Sequence, residues 1–166
     1  MGIFQNDDKY LQMTAEQLAA LSDEEFFWAI MIRTEHVVDG FEDWAEGVNA
    51  LNPYQKVFYS VNWLDTEVNN GGLCQFFVNS SRMVAPLMSE YLALIGADEH
   101  QRLYDTFVEE NGINVSDLSG FDSEDWEDFD AQYDKYPFDD FDDAYYEMEP
   151  LETYLTKYAK ENLAQF

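Results

Sequence analysis

The residues from Asp117 to Glu149 read DLSGFDSEDWEDFDAQYDKYPFDDFDDAYYEME. This stretch contains 14 Asp or Glu residues and one Lys, so one fifth of the chain holds 13 of its 27 net negative charges. A run of charge by itself is typical of a solvated linker. Here the apolar residues between the acids argue against a linker, because they recur at regular intervals.

Two sets of apolar residues, mostly aromatic, repeat along this stretch with the period of an α-helix. Their members are three, four and three positions apart, and the second set lies twelve positions after the first. At about 100° per residue each set forms a stripe about 80° wide, which predicts a helix packed on a core. Pro137 separates the sets and Ser123 suits an N-cap, so we expect an acidic helical hairpin. The sets are Trp126, Phe129, Tyr133 and Tyr136, and then Phe138, Phe141, Tyr145 and Met148.

The carboxylates of this hairpin are then expected to face solvent, Asp142 among them. Like charges one helical turn apart destabilise a helix by about 0.2–0.5 kcal/mol per pair, so packing of the aromatic rings must hold the helices together. The expected result is a fixed array of outward carboxylates.

The rest of the chain shows helical patterns and almost no strand patterns. Thr14 and Ser22 each stand three residues before Gln or Glu, the spacing of a capping box. Asn52 and Pro53 favour the start of a long helix, and the Asn-Asn-Gly-Gly sequence at 69–72 predicts its end. We therefore expect an all-α protein, a single compact helical domain of about eight helices. Its parts are a helical core at 1–116, the acidic segment at 117–149 and a C-terminal helix at 150–166.

The composition predicts a basic partner. The 166 residues include 35 Asp and Glu against 8 Lys and Arg, for a formal charge of −27. Such a charge repels nucleic acid, anionic membranes and phosphorylated substrates, so no direct binding to nucleic acid or membrane is expected. The chain is also 46% hydrophobic and 17% aromatic, which is enough to bury a core and is unlike an acidic disordered tail.

The same composition favours a cytoplasmic location. The longest uncharged apolar run, Phe26 to Ile32, is too short to span a bilayer, and the N-terminus lacks the basic and apolar regions of a signal peptide. Cys74 is the single cysteine and fits a reducing compartment.

Residues typical of catalytic and metal sites are scarce. His36 and His100 are the two histidines, and neither lies in a His-Glu-x-x-His arrangement. Carboxylate pairs such as Asp125 and Asp128 resemble those of glycosidases, but pairs arise by chance in so acidic a chain. We expect no enzyme activity, no cofactor and no metal site.

A second stretch carries a family resemblance. Glu67-Val68-Asn69-Asn70-Gly71-Gly72, followed by Gln75-Phe76-Phe77 and Asn79-Ser80, resembles the signature of a bacterial family of small, acidic, all-helical proteins named for DNA mimic protein nineteen. The resemblance implies a protein that engages a helix-turn-helix transcriptional regulator and blocks its operator binding. The signature itself is expected to be structural, with a helix stop and the core-facing start of the next helix. Its residues are Asn69, Asn70, Gly71, Gly72, Gln75, Phe76, Phe77 and Asn79.

The charge agrees with DNA mimicry. Carboxylates one helical turn apart are separated by roughly 5 to 6 Å, close to the spacing of phosphates along a strand. At about one charge per 1.7 Å of duplex, 27 charges correspond to roughly 46 Å of DNA, and a compact chain of this length is some 40 Å wide. We therefore predict competitive exclusion of DNA from a basic partner, with exposed aromatics such as Tyr146 adding contacts. The predicted partner-binding residues are Glu124, Asp125, Glu127, Asp128, Asp130, Asp134, Asp139, Asp140, Asp142, Asp143 and Glu147, with Glu42, Asp43 and Glu46.

Two other interpretations stay open. An acidic immunity or inhibitor module would neutralise a basic toxin or nuclease by the same chemistry. Salt adaptation would use the charge for solubility in brine, although the clustered charge and the many aromatic residues fit it poorly. A homodimer would lengthen the charged face to match two half-sites, and its interface would have to use the less acidic region at 53–95.

Overall fold

The computed structural model describes residues 8–123 and 126–166. In these ranges the chain forms helices and no strand, which confirms the all-α prediction. The α-helices are α1 (Asp8–Leu11), α2 (Ala15–Ala19), α3 (Asp23–Val38), α4 (Trp44–Ala50), α5 (Pro53–Val78), α6 (Met88–Leu94), α7 (Asp98–Glu110), α8 (Trp126–Tyr133), α9 (Phe138–Tyr146) and α10 (Leu151–Glu161). Short 3-10 helices cover Ser80–Leu87, Ser119–Phe121 and Leu163–Gln165.

Side-chain caps explain where several helices begin. The Thr14 hydroxyl accepts the Gln17 N–H and the Gln17 side chain accepts the Thr14 N–H, so the predicted capping box before α2 is confirmed. Asn52 caps α5, since its Oδ1 accepts the N–H groups of Tyr54 and Gln55 at 2.9 and 3.0 Å. Each cap satisfies backbone donors that the first turn of a helix leaves without partners.

The chain divides into two compact units. The first combines the residues up to Tyr59 with Glu152–Phe166, and the second is Ser60–Leu151. In the first unit the buried Phe58 ring lies 5.6 Å from the rings of both Phe27 and Phe166. The guanidinium of Arg33 donates to backbone carbonyls of that unit, those of Tyr10, Met13 and Phe166. None of the helices in the described ranges has the length and apolar character needed to cross a membrane.

The long helix α5 is interrupted at two glycines in the second unit. Gly71 and Gly72 have non-helical backbone angles, and the helix resumes at Leu73 and ends at Val78. The predicted break in the Asn-Asn-Gly-Gly sequence is therefore confirmed, and it falls on the glycines. Gly72 has φ +78° and ψ 176°, a conformation that glycine almost alone adopts. A Cβ there would also lie 2.1 Å from the Oδ2 atom of Asp142.

Gly72→Ala should therefore destabilise the fold more than an alanine at a glycine with a similar φ. Gly96 is the matched control, because its φ is +80° and a Cβ there would meet no described heavy atom within 4 Å. We expect Gly96→Ala to lower the free energy of unfolding by about 1 kcal/mol and Gly72→Ala by about 3 kcal/mol, since the latter forces a backbone conformation almost restricted to glycine and also displaces a buried hydrogen-bonded carboxylate. Chemical denaturation measures both. Equal losses would show that neither the backbone conformation of Gly72 nor the approach of Asp142 matters for stability.

Candidate partner-binding surface

One face of α9 is anchored in the core of the second unit. Phe138, Phe141 and Tyr145 are buried, so the apolar stripe predicted for this helix is confirmed for these three residues. Phe138 is fully buried and lies at the centre of an aromatic cluster. Ring centroids within 5.2 to 6.3 Å of it belong to Phe77, Phe107, Phe121, Tyr133 and Tyr136.

The preceding helix, α8, is attached through partly buried rings. Phe129 and Tyr133 stack with centroids 6.3 Å apart, and Tyr133 in turn lies 5.6 Å from Phe138. The Tyr133 hydroxyl donates a hydrogen bond to the carboxylate of Asp139, which links α8 to the first turn of α9. The predicted stripe of α8 is therefore less buried than that of α9, and the side chain of Trp126 lies outside the described part of the chain.

Most of the predicted acidic residues face solvent. Glu124 and Asp125 lie outside the described residues. Glu42, Asp43 and Glu46 are exposed in the first unit, where the Asp43 carboxylate accepts the Glu46 N–H at 2.9 Å and caps α4. The exposed acids of α8, α9 and the residues beside them, which we call the carboxylate array, are Glu127, Asp128, Asp130, Asp134, Asp139, Asp140, Asp143 and Glu147.

Asp142 does not belong to this array, and its predicted outward position is wrong. The residue is 7% exposed, and its Oδ1 atom accepts the Leu73 N–H at 2.9 Å. Leu73 follows the break in α5, so its N–H is a donor that the helix itself leaves without a partner. The sequence contained a signal, because Asp142 lies only about 40° around the helix from Phe138 and so at the edge of the buried stripe.

Burial changes the acidity of Asp142. Desolvation raises the pKa of this carboxyl to about 6, the Leu73 hydrogen bond opposes the rise, and the neighbouring charges of Asp139 and Asp143 add to it. Below that pKa the folded protein holds a neutral acid at the joint between α5 and α9.

Two tyrosines add further links between α9 and α5. The Tyr145 hydroxyl donates to Asp65 Oδ1 at 2.7 Å, and the same carboxylate oxygen accepts the amide of Asn69 at 2.9 Å. The Tyr146 hydroxyl donates to the backbone carbonyl of Val68 at 2.7 Å. Burial is the main cause that raises the pKa values of Asp65 and Tyr145. These bonds fix α9 lengthwise against α5, so the carboxylates that it carries are held in position.

Residues of the family signature and the nearby Ser81 form a hydrogen-bonded polar cluster around the buried carboxylate of Glu67. Glu67 is 5% exposed, and its carboxylate accepts hydrogen bonds from Gln75 Nε2 at 2.6 Å, Asn79 Nδ2 at 2.8 Å and Ser81 Oγ at 2.8 Å. These three neutral donors compensate the desolvation of the carboxylate. The cluster joins the two segments of α5 to the 3-10 helix that follows. Phe76 and Phe77 are fully buried, as their predicted core-facing role requires.

Sequence reasoning did not single out Glu67 and Ser81. The available signal was that Glu67 lies three positions after Leu64 and one before Val68, both fully buried. A charged residue at that place on a helix is either at the edge of the buried face or hydrogen-bonded inside it.

Two groups of kinds that often serve catalysis, Cys74 and His100, are buried, whereas His36 is exposed. Cys74 is fully buried, and burial followed by the charge of Asp142 raises the pKa of its thiol to about 12. His100 is buried with its ring edge-on to Tyr145, and burial lowers the pKa of its imidazole. Within the described ranges no group of three or more His, Cys, Asp or Glu residues is placed to hold a metal ion.

One comparison with known protein families gave a match. The sequence profile described as DMP19-like protein matches residues 49–162, which cover α5 to α10 and the whole carboxylate array. No curated protein and no solved structure gave a match.

The raised pKa of Asp142 predicts a specific pH dependence. The pKa of about 6 in the folded protein exceeds the ordinary Asp value of 3.8, so this carboxyl lowers the free energy of unfolding progressively as the pH rises between these two values, and the full penalty remains at higher pH. Asp142→Asn keeps an acceptor for Leu73 without the charge. The free energy of unfolding of Asp142→Asn, measured relative to that of the native chain at the same pH, should therefore rise by about 1 kcal/mol between about pH 5 and pH 7.5.

Asp140→Asn is the control for this experiment, because Asp140 is the exposed neighbour on the same helix. Urea unfolding at each pH gives the free energies of unfolding. If both substitutions changed stability equally at every pH, the charge on Asp142 would not be the source of the effect.

Proposed function

The chain belongs to the DMP19-like protein family, and from that premise we propose that it is a DNA mimic that blocks operator binding by a helix-turn-helix transcriptional regulator. The observation that carries the proposal is the carboxylate array, which is exposed on helices whose opposite sides are held by buried or partly buried aromatic rings. The array would occupy the surface with which the regulator contacts DNA.

The spacing of the array supports this role. Asp139, Asp143 and Glu147 follow one another at four-residue intervals, and Asp140 and Asp143 are three apart. Such residues have Cβ atoms roughly 5 to 6 Å apart on a helix, which resembles the spacing of phosphates along a strand. Lys and Arg side chains arranged to contact successive phosphates therefore meet successive carboxylates.

The fixed position of the array supports affinity. Ordering a flexible acidic segment on binding costs free energy, and that cost offsets part of the attraction to a basic surface. Here α9 is already held by Phe138 and by its bonds to Leu73, Asp65 and Val68. The binding free energy can therefore come from charge neutralisation and from the release of counterions, with a strong dependence on salt.

The finer assignments follow from the same proposal. The partner is a basic DNA-binding protein, and the setting is the bacterial cytoplasm. Glu42, Asp43 and Glu46 would add long-range attraction from the first unit. A homodimer would present two arrays to the two half-site readers of a dimeric regulator.

Neutralising part of the array tests the proposal. The test variant carries Asp134→Asn, Asp140→Asn and Asp143→Asn, and the control carries Glu90→Gln, Glu109→Gln and Glu110→Gln. All six residues are exposed in the second unit, and the two variants lose the same charge. We expect the test variant to bind its partner about tenfold more weakly with a flatter salt dependence, whereas the control should change little.

The measurement starts with capture from a lysate of the native host. Bound proteins are released with competing duplex DNA, and a released regulator is then tested for operator binding in the presence of each variant. The proposal requires duplex DNA to displace the partner and the native chain to displace the operator. Retention of the partner in excess duplex, or equal affinity of the test variant and the native chain, would contradict it. Release of a toxin or nuclease would favour the immunity-module interpretation.

A further inference from the structure

An exposed aromatic ring lies beside the carboxylate array. Tyr146 is the last residue of α9 and is 52% exposed, whereas its neighbour Tyr145 is 6% exposed. Its hydroxyl is bonded to the Val68 carbonyl, so the part of the side chain that faces solvent is mainly ring carbon. Single exposed apolar side chains are ordinary on protein surfaces, so the exposure of this ring matters only together with what holds it and what lies beside it.

The ring of Tyr146 is held in place at two points. Its hydroxyl donates to the Val68 carbonyl at 2.7 Å, and its ring lies edge-on to that of Tyr145, with centroids 6.2 Å apart and planes at 89°. Tyr145 is itself fixed by the hydrogen bond to Asp65. A ring fixed in this way loses little conformational freedom when a ligand covers it.

An exposed carboxylate shares the face of α9 that carries the fixed ring. Asp143 precedes Tyr146 by three positions, close to one helical turn, so the two side chains are neighbours on the helix surface. Desolvation raises the pKa of the Tyr146 phenol, and the charges of Asp142 and Asp143 raise it further. The site therefore combines a neutral aromatic surface with negative charge beside it.

This combination fits one cation better than others. A guanidinium is planar, so it can lie over an aromatic ring and donate to a carboxylate at its edge, and it is more weakly hydrated than an ammonium. The outer surface of duplex DNA offers phosphates but no exposed ring face of this kind. A guanidinium that contacts the Tyr146 ring would therefore distinguish basic partners to which the carboxylate array alone binds with equal affinity.

We propose that Tyr146, with Asp143, forms an arginine-binding subsite that selects among basic partners. The inference rests on the proposed function, because it assumes that a basic protein docks on the array. The array supplies general attraction to cations, and Tyr146 supplies a preference for an arginine at one position of the partner.

Two cationic peptides test the subsite directly. Hexa-arginine and hexa-lysine are titrated at physiological salt into the native chain and into Tyr146→Leu, Tyr146→Phe and Tyr54→Leu. The last is the control, because Tyr54 is a 38% exposed tyrosine that stacks on Tyr158 in the first unit. Calorimetry gives the affinities, and NMR follows the arginine δ-methylene protons, which move upfield when the guanidinium lies over a ring.

The native chain should bind hexa-arginine about threefold more tightly than hexa-lysine, and the arginine protons should shift upfield. Tyr146→Leu should remove both the preference for hexa-arginine and the upfield shift, and should leave the affinity for hexa-lysine nearly unchanged. Tyr146→Phe and Tyr54→Leu should keep both the preference and the shift. Persistence of the preference in Tyr146→Leu, or its loss in Tyr54→Leu, would overturn the inference and leave the proposed function intact. If neither peptide bound the native chain, both proposals would fail.

Discussion

The burial of Phe138 among five aromatic rings is the constraint on which the acidic face depends. Burying one such side chain contributes about 1.5–3 kcal/mol, whereas each like-charge pair one turn apart costs about 0.2–0.5 kcal/mol. Three buried residues on α9, Phe138, Phe141 and Tyr145, therefore outweigh the repulsion within its short row of carboxylates. Without those rings the same acids would favour an extended, solvated segment. The aromatic content of so acidic a stretch is thus a requirement of its helical structure.

The family signature helps to fix the position of α9, and of the carboxylates that it carries, relative to α5. Gly72 allows the chain to turn in a conformation that other residues avoid, and this frees the Leu73 N–H for the carboxylate of Asp142. Glu67 gathers Gln75, Asn79 and Ser81 around the same turn. The signature therefore determines how α5 and α9 meet, whereas the charge that would face a partner lies on α8 and α9. We expect relatives that keep the signature residues but carry fewer acids on α8 and α9 to present a different surface at the same position of the fold.

Local pattern predicted much of this architecture, and tertiary contacts set the rest. The aromatic spacing predicted both acidic helices and the buried side of α9, and the glycine pair predicted the break in α5, because these features depend on residues close in sequence. The local pattern places Asp142 at the edge of the buried stripe, but its hydrogen-bond donor, the Leu73 N–H, lies 69 positions away and no local pattern identifies it. Glu67 was missed because its three donors come together only after the chain folds around the break. Both misses concern carboxylates, since in so acidic a chain a functional, a structural and a merely solvated acid look alike in sequence.

A fixed outward array of carboxylates, formed before any partner arrives, requires the hydrogen bonds of α8 and α9 to resist opening in the free protein. Amide hydrogen exchange at physiological salt measures how readily these bonds open. We predict protection across 141–146 comparable with that of the interior of α5, and weaker but measurable protection across 130–133, where the rings are less buried; the first-turn amides of both helices lack helical hydrogen bonds and are not informative. Exchange of both segments at the rate of an unfolded chain would contradict the account, because a mobile acidic segment could not present the array described above.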